Sequence, residues 1–232
     1  MTKRFYKQAS SNTVEGGFAV TLDERTIKTP AGQPLNLPTQ ALADAVAGEW
    51  DAQGDEIEPK SMPMMQLCGT AIDRVPDVRD GLIEGLLRYT DTDLLCYRAG
   101  HPADLAAKQH AAWQPLLDWA SAELGATLFV AEGIMPVDQD EAAREAFRTV
   151  LDQLDNWTLT AVAELVGISG SLVVGLAVLK GRLDVEGAFA VCQLDEDHQI
   201  ERWGEDAEAL EKRDSVERDL INAARFLELL RG

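Results

Sequence analysis

The chain has 232 residues, of which 46% are hydrophobic and 26% are charged, so its composition is that of a globular protein with a sizeable core and excludes a disordered or fibrous one. It contains 21 Lys and Arg against 40 Asp and Glu, which gives a formal net charge of −19. This acidic excess argues against nucleic-acid binding and against anionic membranes, because both need basic protein surface.

The cysteine pattern and the lack of long apolar segments bear on the compartment. Cys68, Cys96 and Cys192 are odd in number and far apart, which favours a reducing compartment over a disulfide framework. The N-terminal residues lack the apolar stretch of a secretory signal. The most apolar segment, residues 172–179, is much shorter than the roughly 20 residues of a membrane span. We therefore expect a cytoplasmic protein without membrane insertion.

The first sixty residues carry the pattern of short strands. Large apolar residues alternate with small or polar ones over residues 18–22, which is the period-two signal of a half-buried strand. Residues 25–29 and 34–38 are also predicted to be extended, and an earlier strand is expected at residues 5–6. Together these segments predict a small antiparallel sheet or a partial barrel.

From Thr39 onwards the apolar residues recur at spacings of three and four, which predicts helices. Thr39 is a candidate N-cap of a helix that ends at Gly54. Residues 57–59 fit either an edge strand or a connection between the two parts of the chain. Pro115 predicts a kink or a break in the third helix of the following series, and Asp138 predicts a capping box that opens the fourth. That series is predicted at residues 62–75, 77–89, 103–124, 138–154, 157–166, 184–203 and 206–230.

Residues 172–179 fit either a buried strand or a central helix that is apolar on all sides, and their helical neighbours favour the helix. The sequence thus predicts an α+β protein with a small N-terminal antiparallel β domain, residues 1–60, and a larger all-helical C-terminal domain, residues 61–232. The boundary is placed where the Gly- and Pro-punctuated composition changes to one rich in Leu, Ala, Asp and Glu.

Motifs of nucleotide binding and of nucleophilic catalysis are incomplete in this sequence. The stretch from Gly175 to Gly181 lacks the order and the hydroxyl of a phosphate-binding loop, and it is better interpreted as a core helix that ends at Gly181. Residues 167–171 lack the final glycine of a nucleophile elbow, so we interpret them as a helix break. His101, His110 and His198 have no cysteine at metal-ligand spacing. We therefore predict no cofactor and no metal.

Two acidic clusters are the remaining candidate sites. Asp91 and Asp93 fit the end of one helix and the N-cap of the next element, and a cation or phosphate site is the less favoured alternative. In the second cluster, residues 194–206, helical spacing places Asp195 and His198 on one side of a helix. His198 is interpreted as part of a solvated acidic face, and a weak metal site is the alternative.

Trp203 lies near the end of that second cluster, just before Gly204. Helical spacing places it on the same side as Glu196 and Gln199. It fits an anchor of the helix end in the core, and it equally fits an anchor for a partner, because Trp is enriched at interface hot spots. We favour the core anchor, which predicts that Trp203→Ala destabilises the fold.

Several short stretches, taken in their order along the chain, resemble the ATP-twelve type of ATP synthase assembly chaperones. Members of this family act on the α subunit of the catalytic head. Each stretch alone is short, but together they extend from one end of the chain to the other. They are Phe5-Tyr6-Lys7, Pro63-Met64, Thr70-Ala71-Ile72-Asp73, the residues from Thr90 to Arg98, those from Trp113 to Trp119, Ser171-Leu172, Gly175-Leu176, Leu194-Asp195-Glu196, Gln199, Glu201 and Trp203-Gly204.

The resemblance implies a molecular chaperone that binds the unassembled α subunit, prevents its aggregation and hands it to the β subunit. It also implies a β-rich N-terminal domain, a helical C-terminal domain and no enzymatic activity. The long presequence of mitochondrial members is missing, which points to a bacterial cytoplasmic form, whereas eukaryotic relatives would lie in the mitochondrial matrix. We expect a monomer.

The resemblance further implies that an acidic residue within residues 194–199 matters for activity. Glu196 is the first candidate and Asp195 the second. The further partner-binding candidates are Gln199, Glu201 and Trp203, and the secondary candidates are Asp91, Asp93 and Arg98.

One alternative of a different class remains at this point, a small-molecule enzyme. Its site would bring carboxylates and a histidine into one cleft, where perturbed carboxylate pKa values would favour acid–base chemistry. The residues of that hypothetical cleft are Asp91, Asp93, Asp195, Glu196 and His198.

Overall fold

The computed structural model describes residues 2–133, 135, 137–204 and 206–232. It confirms the predicted α+β class, with small antiparallel sheets near the N-terminus and helices over most of the remaining chain. The strands are β1 (Thr2–Lys3), β2 (Ala9–Val14), β3 (Gly17–Leu22), β4 (Arg25–Thr26), β5 (Glu56–Ile57), β6 (Tyr97–Arg98) and β7 (Ala131–Glu132). The helices are α1 (Gln40–Asp51), α2 (Pro63–Asp73), α3 (Val75–Leu87), α4 (Tyr89–Thr92), α5 (Ala103–Trp119), α6 (Glu141–Asp152), α7 (Asn156–Ser169), α8 (Leu172–Leu179), α9 (Val185–Cys192), α10 (Leu194–Trp203) and α11 (Ala207–Arg231).

The N-terminal sheet has the order β2-β3-β4, and both of its strand pairs are antiparallel. Strands β2 and β3 form a hairpin that closes at the pair Val14 and Gly17. A Cβ atom on Gly17 would lie 2.6 Å from the carbonyl oxygen of Leu37, so the close approach of the backbone requires glycine there. The predicted strand over residues 18–22 is confirmed.

The predicted strand at residues 5–6 is wrong, because these residues lie between β1 and β2. Strand β2 has the sequence Ala-Ser-Ser-Asn-Thr-Val, which lacks the large alternating apolar residues of a half-buried strand. It is therefore identified by its partner β3 and not by its own pattern. Of the edge strand predicted at residues 57–59, only Ile57 lies in a strand, β5, which pairs with β1.

Helix α1 begins where the sequence predicts. The Thr39 hydroxyl oxygen accepts a hydrogen bond from the backbone N–H of Leu42 at 3.2 Å, as an N-cap does. The buried side of the helix presents Leu42, Ala43 and Val46. This side packs against β2 and β3, so the first helix covers the first sheet.

The apolar segment at residues 172–179 is the helix α8, as favoured from the sequence. The Ser171 hydroxyl caps it by accepting from the N–H of Val174 at 3.0 Å, and most of its side chains are buried. Gly175 permits close packing on α7, since a Cβ there would lie 2.6 Å from a methyl carbon of Val166. Within the described residues, no helix combines the length and the apolarity that crossing a membrane requires.

Several helix boundaries differ from the predicted ones. Helix α5 continues through Pro115 without a break, and the irregular π-helical turn follows it at Ala120–Leu124. Helix α6 begins after Asp140, so the capping box at Asp138 is wrong. The predicted single helix over residues 184–203 is divided into α9 and α10 at Gln193, a residue that gives no Gly or Pro signal.

Two compact units contain the packed elements. One comprises Met1–Arg79, Asp155–Ala161 and Arg225–Gly232, and the other comprises Asp80–Leu154 and Val162–Ala224. The predicted division into domains 1–60 and 61–232 stays a prediction. Its description of the second part as all-helical omits a parallel pair of two-residue strands, β6 and β7.

Candidate partner-binding site

Helix α10 carries most of the predicted site, and one side of it packs on α5 through polar groups. The Gln109 side-chain amide donates a hydrogen bond of 2.7 Å to the Asp195 carboxylate. Nearer the C-terminal end of α10, Lys108 forms an ion pair with Glu201 and lowers the pKa of that carboxyl. Asp195 and Glu201 are therefore both engaged with α5, and they hold α10 in place.

His198 lies on the same side of α10 and is buried, with 4% of its surface exposed. Its two ring nitrogens have no hydrogen-bond partner among the described residues, and Nε2 is 4.0 Å from a carboxylate oxygen of Asp104. The interpretation of His198 as part of a solvated face is wrong, because α5 covers this side of the helix. Periodicity placed the residue on the right side of α10 but did not reveal that another helix packs there.

The opposite side of α10 is exposed and presents Glu196, Gln199 and Trp203. Trp203 has 76% of its surface exposed, so the expected anchor in the core is wrong. An indole with this exposure leaves apolar surface in contact with water, which is typical of a contact for a partner. The structure thus favours the other interpretation of Trp203 that the sequence left open.

These three side chains line a groove of about 560 Å³ within the second unit. The opposite wall is the N-terminal half of α11, with Ala209, Lys212 and Val216. Leu94, the C-terminal end of α7 from Gly167 to Ser169, and Gly170 also line the groove. Sequence reasoning missed Ala209, Lys212 and Val216 as site residues.

Arg213, one of the lining residues, connects α11 to α10. The Arg213 guanidinium of α11 lies 3.1 Å from the Asp197 carboxylate of α10. The same guanidinium stacks over the ring of Phe189 in α9, 4.3 Å from the ring centre. Arg213 is therefore neutralised within the protein and fixes the position of α11 beside α10.

Unlike Arg213, other charged groups at the groove are not neutralised by an ion pair within the described part of the chain, so their charge is available to a partner. Among the described residues, Glu196, Asp206 and Lys212 form no ion pair. Asp195 adds a further carboxylate to the lining. The groove therefore has an apolar interior and a charged, mainly acidic rim.

Asp93 belongs to a different environment. It is completely buried, and its carboxylate accepts hydrogen bonds from the N–H groups of Leu95 and Val173 and from the hydroxyl of Ser171, at 3.1, 3.2 and 2.7 Å. Burial raises its pKa to about 6, against the lowering effect of these three donors. The predicted N-cap role is confirmed, since Asp93 caps the 3₁₀ turn Leu94–Cys96, and its bond to Val173 also ties that turn to the start of α8.

Asp91 and Arg98 are also held in the structure away from the groove lining. The Asp91 carboxylate lies 4.0 Å from the guanidinium of Arg144. Arg98 is buried and donates to Gln114 at 2.9 Å and to the carbonyl of Leu95 at 3.4 Å. Burial lowers the pKa of the Arg98 guanidinium. Both secondary candidates therefore make contacts within the fold and do not line the groove.

The five residues of the enzyme alternative do not line one cleft. Only Asp195 and Glu196 reach the groove, whereas Asp93 is enclosed by its donors and His198 faces α5. No group of three or more His, Cys, Asp or Glu in the described residues is placed to hold a metal ion. Among the described residues, this groove brings together only two of the five, both on α10, and an apolar groove with a charged rim is suited to binding a partner.

Comparisons with known proteins agree with the resemblance found in the sequence. The family model described as ATP12 chaperone protein matches residues 3–121. The mitochondrial protein atp12 of Schizosaccharomyces pombe is 30% identical over 226 residues, which cover 91% of this chain and 78% of that protein. The mitochondrial protein ATP12 of Saccharomyces cerevisiae is 24% identical over 270 residues, with coverages of 96% and 83%.

A solved bacterial structure extends the similarity to the whole fold. The crystal structure of Atp12 from Paracoccus denitrificans superposes with a TM-score of 0.94 at 42% identity, and the match covers 99% of both chains. The family consists of chaperones for ATP synthase assembly and not of enzymes, as the resemblance implies. On the family model, the curated relatives and the common fold, the chain belongs to the ATP12 chaperone family.

Proposed function

We propose that this chaperone binds the unassembled α subunit of the ATP synthase catalytic head, prevents its aggregation and yields it to the β subunit. The observation that carries the proposal is the groove between α10 and α11, with the exposed indole of Trp203 at its edge. Membership of a family that acts in ATP synthase assembly supports a subunit of that enzyme as the client.

The physical need for such a chaperone follows from the assembly of a multi-subunit head. A subunit without its neighbour exposes the apolar surface that the neighbour would bury, and such surfaces aggregate. A groove with a half-buried apolar interior can cover part of this surface, while its charged rim keeps the complex soluble. The net charge of −19 also favours rapid encounter with basic regions of a client.

Release requires no nucleotide in this proposal. The β subunit displaces the chaperone by mass action if it binds the α subunit more tightly, because both compete for the same client surface. The chaperone then acts as a monomer in the bacterial cytoplasm. Similarity over 99% of the chain to a protein from the bacterium Paracoccus denitrificans supports the bacterial setting.

Within the site, we assign client contact to Glu196, Gln199 and Trp203, which lie on the open side of α10. Asp195 contributes from the edge of the lining while bonded to Gln109. Glu201 acts indirectly, since its ion pair with Lys108 holds α10 against α5. Glu196 is the primary residue because its carboxylate is exposed and has no ion pair within the described part of the chain.

The test measures the affinity of the Glu196→Lys variant for isolated α subunit. The assembled head serves as the control that shows whether the chaperone binds only the unassembled subunit. Reversing a rim charge should weaken binding about tenfold, which corresponds to about 1.4 kcal/mol. Glu208→Lys is the matched control, because it makes the same charge change at an exposed site of α11 outside the groove lining. Equal binding by wild type to the assembled head and to the free subunit would contradict the proposal, as would equal losses in the two variants.

A further inference from the structure

The lining of the groove determines what kind of segment it can accept. All described lining residues belong to helices or to the turns beside them, and none belongs to a strand. The groove therefore offers no free strand edge to which an extended peptide could add by main-chain hydrogen bonds. An occupant must bind through its side chains, and a helix presents side chains on one face with its own backbone groups already paired.

The apolar part of the lining fits the stripe of such a helix. Leu94, Ile168, Ile200 and Val216 are each half-buried, so each leaves apolar surface uncovered inside the groove. Trp203 extends this surface at the end of α10. A third helix placed against α10 and α11 would cover these side chains, as an amphipathic helix does in a helix-lined groove.

The charges of the rim determine the polar side of the occupant. Arg213 is neutralised by Asp197, so it leaves little charge for a ligand. Glu196 and Asp206 form no ion pair among the described residues, and Lys212 is the cation opposite them. Asp195 also lines the groove and is bonded, among the described residues, only to the neutral Gln109 amide, so three carboxylates stand against one cation. The unpaired rim therefore has a net charge of −2, and the whole chain has one of −19. Charge complementarity favours a basic residue beside the apolar stripe.

We infer that the groove between α10 and α11 binds one amphipathic helix of the α subunit, with a Lys or Arg that pairs with Glu196. This inference rests on the proposed function, since it names the part of the client that the same site accepts. It adds α11 as the second binding wall and specifies a helix, not a strand, as the bound segment. The client helix takes the place of water over the half-buried apolar side chains.

The first test places a large side chain in the groove from α11, the wall that the sequence did not predict. Ala209 is exposed and lines the groove, so Ala209→Trp should obstruct it without changing the core, and binding to isolated α subunit should weaken at least tenfold. Ala207→Trp places the same side chain on the same helix outside the lining, and its affinity should stay within twofold of wild type. Thermal unfolding of both variants checks that the fold is kept.

The second test identifies the bound segment. A photo-crosslinking amino acid at position 209, with position 207 as control, should join the chaperone to one peptide of the α subunit, which mass spectrometry identifies. That peptide should be helical and amphipathic and carry a Lys or Arg. Changing this basic residue to Glu should restore binding to Glu196→Lys within about threefold of the wild-type pair.

The outcomes separate this inference from the function on which it rests. If wild-type chaperone does not bind isolated α subunit, the proposed function and the inference are both overturned. If wild type binds but Ala209→Trp binds equally well, only the assignment of client binding to the groove is overturned. A crosslinked peptide that forms a strand, or that lacks a basic residue, overturns the helical occupant.

Discussion

Asparagine in place of Asp93 should remove the contribution of one buried carboxyl to the pH dependence of folding stability between pH 4 and pH 7. The carboxyl has a usual pKa of 3.8 and a pKa of about 6 in the folded protein, because burial penalises its charged form. The folded state therefore holds the proton more tightly than the unfolded state. The stability from this group is fully present below pH 3.8 and is lost as the pH rises through 6.

The size of the effect follows from the shift in pKa. A difference of about two units at roughly 1.4 kcal/mol per unit gives about 3 kcal/mol in total, of which roughly 2 to 3 kcal/mol falls between pH 4 and pH 7. An asparagine side chain does not titrate, so the Asp93→Asn variant should gain this amount relative to wild type as the pH rises over that interval. At neutral pH the net gain in the free energy of unfolding should be smaller than this amount. The amide group that replaces one carboxylate oxygen cannot accept the hydrogen bond from the N–H of Val173, which costs about 1–3 kcal/mol.

Urea unfolding at pH 4, 5, 6 and 7 measures the free energy of unfolding of both proteins. Other titrating groups are the same in the two chains, so they cancel in the difference. Ser171→Ala should have the opposite effect on the pH dependence of the free energy of unfolding. The hydrogen bond from the Ser171 hydroxyl lowers the pKa of Asp93, so its loss should make stability fall more steeply with rising pH than in wild type. Parallel curves for wild type and Asp93→Asn would refute the assignment of a buried, titrating carboxyl.

Two further predictions concern α10. Trp203→Ala should change the free energy of unfolding by less than about 0.5 kcal/mol, since 76% of the side chain is exposed, while affinity for isolated α subunit falls more than tenfold. Thermal unfolding and a binding titration measure the two effects, and a clear loss of stability would restore the core-anchor interpretation. His198→Phe should raise the free energy of unfolding by about 1–3 kcal/mol in urea, because it removes two buried nitrogens that have no hydrogen-bond partner among the described residues. A decrease would mean that the imidazole has a stabilising partner.

Elements with a strong local signal could be predicted from the sequence. Thr39 is an N-cap whose hydroxyl bonds the first turn of α1, and this chemistry depends only on neighbouring residues. The eight apolar residues of α8 are also local, although their helical form depended on the elements around them. Strand β2 was missed because its polar sequence forms a strand only through pairing with β3.

Local sequence also predicted one part of the candidate site, the two sides of α10, but not which of them is buried. Helical spacing correctly divided α10 into one side with Asp195 and His198 and another with Glu196 and Trp203. Residue type then suggested that the tryptophan was buried and the histidine exposed, and the structure has the reverse. Which side of a polar helix is covered depends on the helix that packs there, and periodicity within α10 contains no information about α5.

Asp93 and Glu196 demonstrate why acidic residues of one sequence acquire different roles. Asp93 receives three hydrogen bonds inside the protein and is fully buried, so neither its surface nor its acceptors are available to a partner. Glu196 is exposed at a groove, and among the described residues no cation neutralises it. A carboxylate that is already satisfied stabilises the fold, whereas one without a partner beside uncovered apolar surface gains most from a client that supplies a cation. This difference in unsatisfied bonding capacity, which the sequence alone does not contain, is the physical reason to place client recognition at Glu196 and not at Asp93.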